Sequence, residues 1–172
     1  KPYGLHRARN ESFFKDVKIL VLRKTSIPKF TYTDFDCYVS QTFNVVQTKK
    51  SNSKYLTLLL NSRLIAFWLR YKGKMQGDNY QLDKEPLMEI PLINIIHNNS
   101  YINLFEVLNC LNNPENFNED ILKYFEDIAD ALVFELYFSE EFKEKGIAIE
   151  EKVRVLFTDL EGLEDEEKLA KI

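Results

Sequence analysis

Leu56, Leu59, Leu60, Leu64, Phe67, Trp68 and Tyr71 recur at steps of three and four, which places them on one stripe of an α-helix. Leu58, Ile65, Ala66 and Leu69 widen that stripe beyond the width of a surface helix. The pattern predicts one mostly buried helix over 53–71, its start capped by Ser51, Asn52 or Ser53. Periodicity ends near Gly73, and Lys72 to Tyr80, with Gly73 and Gly77, reads as a tight, positively charged loop. Asp83 then caps a short helix that tolerates Pro86 in its first turn and stops before Pro91.

Upstream the pattern changes to short runs. Val17 to Leu22 is apolar, branched and too short for a helix, so a buried strand is expected. Phe30 to Thr33, Cys37 to Ser40 and Phe43 to Thr48 are read as further strands, with Asp34-Phe35-Asp36 as a turn. Downstream, 92–96 is read as a last strand. Asn98-Asn99-Ser100 signals the cap of a helix over 101–111, and Asn118 or Glu119 starts a longer one running to Phe138. Val153 to Phe157 and a Glu/Lys-rich tail complete a helical end. The expected class is α+β: a small, mainly antiparallel sheet packed on the central buried helix, followed by a helical C-terminal part. The expected organisation is a linker or arm over 1–12 and one domain over 13–172, mixed β/α over 13–96 and helical over 97–172.

Charge divides the chain. Residues 1–86 carry 16 Lys and Arg against 7 Asp and Glu, and residues 87–172 carry 7 against 20. A basic half beside an acidic half fits a surface turned toward a polyanion, because neutralising phosphates drives most non-specific nucleic-acid binding. Two solvated faces fit the same numbers. Cys37 and Cys110, with His6 and His97, have neither metal-site nor redox spacing, so reduced thiols and a cytoplasmic setting are expected. No apolar run reaches the eighteen or so residues of a membrane span, and no membrane partner is expected. The chain starts Lys-Pro, without an initiator Met or signal-peptide pattern, and is read as a piece of a longer protein.

The run from Leu60 to Leu92 resembles the TaqI-like C-terminal specificity domain of adenine-specific DNA methyltransferases, which includes fused type IIG restriction-modification enzymes and phage-defence methyltransferases. Four features carry the resemblance: a leucine-rich helix holding Leu60-Asn61-Ser62, the Lys/Gly-rich stretch from Lys72 to Gly77, the aromatic Tyr80, and a short helix ending in Ile90-Pro91. Lys18 to Thr25 and Tyr38-Val39-Ser40 resemble the family's leading strands, and Ile128 to Phe138 its closing helix.

The resemblance implies sequence-specific duplex DNA binding by a target-recognition domain that serves a type II or IIG restriction-modification enzyme. Its partners would be duplex DNA and an N-terminal methyltransferase domain of the same parent chain. S-adenosylmethionine, base flipping and any endonuclease activity would belong to that missing portion. The chain itself is expected to hold no cofactor and no catalytic or metal site. Its prolines at 2, 28, 86, 91 and 114 are never adjacent, which excludes the Asn/Asp-Pro-Pro-aromatic motif of the family's catalytic part, and its five glycines form no cofactor loop. Glu141-Phe142-Lys143 has the acidic-x-Lys spacing of half a nuclease site but sits in a helical context, so an autonomous nuclease is disfavoured. The residues expected to meet DNA are Arg23, Lys24, Thr25, Ser26, Lys72, Lys74, Gln76, Asn79 and Tyr80. Cations would position phosphates, and the Gln76 and Asn79 amides would either address base edges or hold the loop. The alternative is a protein-interaction or scaffold domain whose charged faces dock partner subunits.

Overall fold

The structure, a computed structural model, describes residues 10–95, 99–158 and 167. These group into two compact units, one formed around residues 10–61 and 65–91, the other around Ser62–Leu64 and the helices after Pro91.

The first unit opens with a short 3-10 turn, Glu11–Phe13, and then β1 (Lys18–Leu22). β1 is central in an antiparallel sheet with β3 (Phe30–Thr33) on one side and β4 (Phe43–Val46) on the other. The register sets Val21 opposite Phe30 and Ile19 opposite both Tyr32 and Val46, so these side chains share one face. Ile19, Val21 and Phe30 on that face are buried. Against β1 and β3 packs α1 (Ser53–Leu60), in which every residue from Tyr55 to Leu60 is buried. Asn52 is its N-cap, its Oδ1 accepting from the amides of Lys54 and Tyr55.

Lys18 is a fully buried lysine at the start of β1. Its ammonium donates to the carbonyls of Asp16 at 2.9 Å and Phe35 at 2.6 Å, tying the left-handed residue Asp16 to the loop after β3.

The expected single helix is two. α1 ends at Asn61, and α2 (Arg63–Lys72) begins after Ser62. Asn61 turns its side chain to the sheet instead, where its amide donates to the carbonyl of Phe30 at 2.7 Å and accepts from the Phe30 amide at 2.8 Å. Phe30 lies on the edge strand β3 with both backbone groups turned away from β1, so one side chain closes the open edge as a neighbouring strand would. The break resets the helical phase. In α2 only Ile65 and Leu69 are buried, while Phe67 and Tyr71, expected in the core, are 60% and 69% exposed with ring centroids 4.6 Å apart.

Two other expected strands are not formed among the described residues. Cys37 to Ser40 is irregular: the Cys37 amide donates to the Phe14 carbonyl, and Tyr38 stacks obliquely on Phe14 while its hydroxyl donates to Glu11. That bond to Glu11 holds the Tyr38 phenol above its ordinary pKa. Residues 92–95 form no ladder, and Ile96, His97 and Asn98 lie outside the described residues, as does His6.

The second unit is helical: α4 (Asn99–Leu111), α5 (Glu119–Tyr137), α6 (Ser139–Glu144) and α7 (Ile149–Thr158), numbered after the short α3 (Lys84–Met88) of the first unit. Asn118 caps α5 through the Ile121 amide, and α4 and α7 pack on α5 around Leu104, Leu132 and Val133. Glu135 of α5 accepts from the first amides of α7, at Ile149 and Glu150, where a carboxylate complements the helix dipole. Buried Asp130 accepts from the Arg63 backbone at 2.7 Å and pairs with its guanidinium. The α+β class therefore holds, with two small sheets in place of one.

Candidate nucleic-acid interface

The positively charged stretch after α2 is a β-hairpin rather than a loop. β5 (Lys74–Gln76) and β6 (Asn79–Gln81) pair antiparallel across the two-residue turn Gly77-Asp78. Gly77 takes a φ of +59°, the left-handed conformation that a two-residue hairpin turn demands and glycine adopts freely. Gly73 separates the hairpin from α2: a Cβ there would come within 2.5 Å of the Leu69 carbonyl oxygen, so a side chain would force the helix end apart.

The other edge of β6 pairs with β2, only Lys24–Thr25, giving a second antiparallel sheet in the order β2-β6-β5. Two segments about fifty residues apart thus join in one sheet. Strands this short are not stable alone. The Leu82 amide donates to the Arg23 carbonyl at 2.7 Å, the Asn44 amide donates to the Leu82 carbonyl at 2.6 Å, and buried Tyr80 and Leu82 anchor the sheet to the core.

Register and alternation sort the side chains. Lys24, Gln81 and Lys74 stand in one cross-strand row, and Gln76 and Asn79 form the next row on the same face. Thr25, Tyr80 and Met75 form the row between, on the opposite face. One face is wholly polar and at least partly open to solvent; the other is inward.

Of the nine residues expected at the site, Lys24, Lys74, Gln76 and Asn79 share the polar face. Tyr80 does not: at 8% exposure it is a core residue, because β6 turns it inward. Thr25 is also on the inner face, its hydroxyl donating to the Ile27 carbonyl in a local turn. Ser26 is exposed beyond the end of β2, and Lys72 is exposed in the last turn of α2; neither belongs to the rows. Arg23 precedes β2, and its guanidinium reaches Asp83 at 3.1 Å.

Asp83 belongs to this surface although its sequence position marks it only as a helix cap. It occupies the N-cap position of α3 yet makes no capping bond. Its carboxylate instead takes Arg23, the Gln81 amide nitrogen at 2.9 Å and, at 3.8 Å, the Lys74 ammonium. The Arg23 hydrogen bond is the chief cause that holds the Asp83 carboxyl below the usual carboxylate range. Gln81 also escapes the sequence reading, although Lys-Met-Gln and Asn-Tyr-Gln around Gly-Asp form an alternation that could have found the whole hairpin.

The face can offer cations to phosphates and amide donor-acceptor pairs to base edges. Among the described residues no group of three or more His, Cys, Asp or Glu is placed to hold a metal, and no helix is long and apolar enough to cross a membrane.

An α+β domain that mounts a polar hairpin face beside a leucine-rich helix ending in Leu-Asn-Ser is the setting in which the sequence comparison falls. The TaqI-like C-terminal specificity domain matches residues 2–92, more than half of the chain, and the chain belongs to that family. Similar proteins include the type II methyltransferase M.HincII of Haemophilus influenzae and the type II methyltransferase M.HindII of Haemophilus influenzae strain KW20 / Rd. Each is 32% identical over 92 residues, covering 52% of this chain but 18% of the relative. The matched stretch is thus about a fifth of each relative's length.

Proposed function

We propose that this chain is the target-recognition domain of a restriction-modification adenine-specific DNA methyltransferase, of type II or with an endonuclease in type IIG form, and that it binds duplex DNA sequence-specifically. One observation carries the reading: Lys24, Lys74, Gln76, Asn79 and Gln81 occupy one face of the small sheet in a protein of this family. A two-stranded β-ribbon fits the major groove, where each base pair shows a distinct pattern of donors and acceptors. The β5–β6 hairpin has that form.

Methyl transfer, S-adenosylmethionine binding and base flipping are assigned to the rest of the parent protein, and phage defence is its role. Both relatives are methyltransferases by name, and this chain lacks the adjacent prolines and clustered glycines which that chemistry uses. The setting that goes with this role is the cytoplasm.

The test is a gel-shift titration of the chain against a randomised duplex library at low and moderate salt. Binding that weakens with salt is expected, and Lys24→Ala or Lys74→Ala should each reduce the salt slope by about one unit if its ammonium meets a phosphate. No binding at low salt would overturn the reading. It would favour a docking domain for a protein partner, a role for which the exposed Phe67–Tyr71 pair is the best observation.

A further inference from the structure

Resting on that reading, we propose that Gln81 is a base-reading residue and that Asp83 is the positioning residue that holds it. Gln81 stands in the middle of its row, with Lys24 on one neighbouring strand and Lys74 on the other. Adjacent strands are about 4.8 Å apart, so the two lysine backbones lie about 10 Å from one another with the amide between them. Two cations able to hold phosphates therefore bracket one neutral side chain able to address a base.

Asp83 makes that side chain directional. A carboxylate only accepts, so the Gln81 atom 2.9 Å from it is the amide nitrogen, which fixes which way round the amide lies. One N–H is committed to Asp83, leaving the oxygen and the second N–H. An acceptor beside a donor is the pattern that pairs with the N6 amino group and N7 of adenine in the major groove. The same carboxylate holds Arg23 and Lys74 and leaves α3 without a side-chain cap, so its bonding serves the polar face rather than the helix behind it.

The experiment selects bound sequences from a randomised duplex library with the 172-residue chain, then measures the selected and an unselected duplex across salt. Gln81→Ala should relax the preference at one A·T pair by roughly five- to hundred-fold. Asp83→Ala should relax it at the same pair while tightening binding to the unselected duplex, because Arg23 and Lys74 lose their internal counter-charge. Loss of structure would weaken binding instead. Asp83→Asn keeps an acceptor for Gln81 and should restore the base preference without lowering the affinity for the unselected duplex. Gln81→Ala selecting the same sequence with undiminished preference would overturn the reading role and leave DNA binding standing. An undiminished preference at that pair in Asp83→Ala would overturn the positioning role. Absence of any duplex binding by the unchanged chain would overturn both this inference and the function on which it rests.

Discussion

The two sheets of the first unit have three strands each and are both antiparallel, yet they are made from opposite material. β3-β1-β4 turns Ile19, Val21 and Phe30 toward α1, and most of its register is specified by that buried face. β2-β6-β5 buries Tyr80 and leaves Lys24, Lys74, Gln76, Asn79 and Gln81 on a polar face at least partly open to solvent. The lesson is a division of labour. The first sheet and its helix supply stability, and the second, held through Arg23, Asn44 and Leu82, is free to vary its outer face without loss of the fold.

The comparison breaks most visibly at Leu59, which is fully buried in α1. Leu59→Ala should cost about 2–5 kcal/mol of stability, the transfer term plus the cavity left behind. Urea or guanidinium denaturation measures it, and a loss well under 1 kcal/mol would show that α1 is not the foundation of the first sheet. Asn61→Ala is expected to cost less, about 1–3 kcal/mol, because it strips both backbone groups of Phe30 of their partner. Backbone amide protons give a second readout: hydrogen exchange at Phe30 should accelerate, while exchange at Tyr80 in the other sheet should not.

The two sheets also differ in how far the chain announced them. Val17 to Leu22, Phe30 to Thr33 and Phe43 to Thr48 stood out because burial on one face writes branched and aromatic residues into short runs. β2 has two residues and no pattern, and β5 and β6 carry one apolar residue each, so the hairpin was marked only by the polar-apolar alternation around Gly77-Asp78 and not by a buried run. Order along the chain could not reveal that Lys24 pairs with Gln81; long-range pairing is a property of the packed unit. The helix break failed for the converse reason. Leucines run past Asn61 with helical spacing, and only the bonds to Phe30 show that the two halves are separate. Lys24 was legible as a cation leaving the end of a buried strand, and Lys74, Gln76 and Asn79 as polar residues near glycine, whereas the role of Asp83 beside Gln81 was visible only once the packed unit brought their side chains together.

The smallest expected effect separates the sheets by pH. Asp83 has its pKa lowered in the folded chain relative to the ordinary 3.8, with the Arg23 hydrogen bond as the largest cause. A carboxyl whose folded value lies below its unfolded one contributes stability that is fully present above the unfolded value, and that contribution is lost as pH falls through the folded one. Asp83 is about a quarter exposed and Arg23 about half, so water screens the pair and the contribution is modest. Wild type should therefore be slightly more stable than Asp83→Asn at neutral pH, with the gap closing below pH 3.8. Denaturation curves for both proteins at neutral and acid pH measure it. A gap that is constant across that range would mean that the difference does not come from ionisation of Asp83, and that Arg23 and Lys74 are not held by its charge.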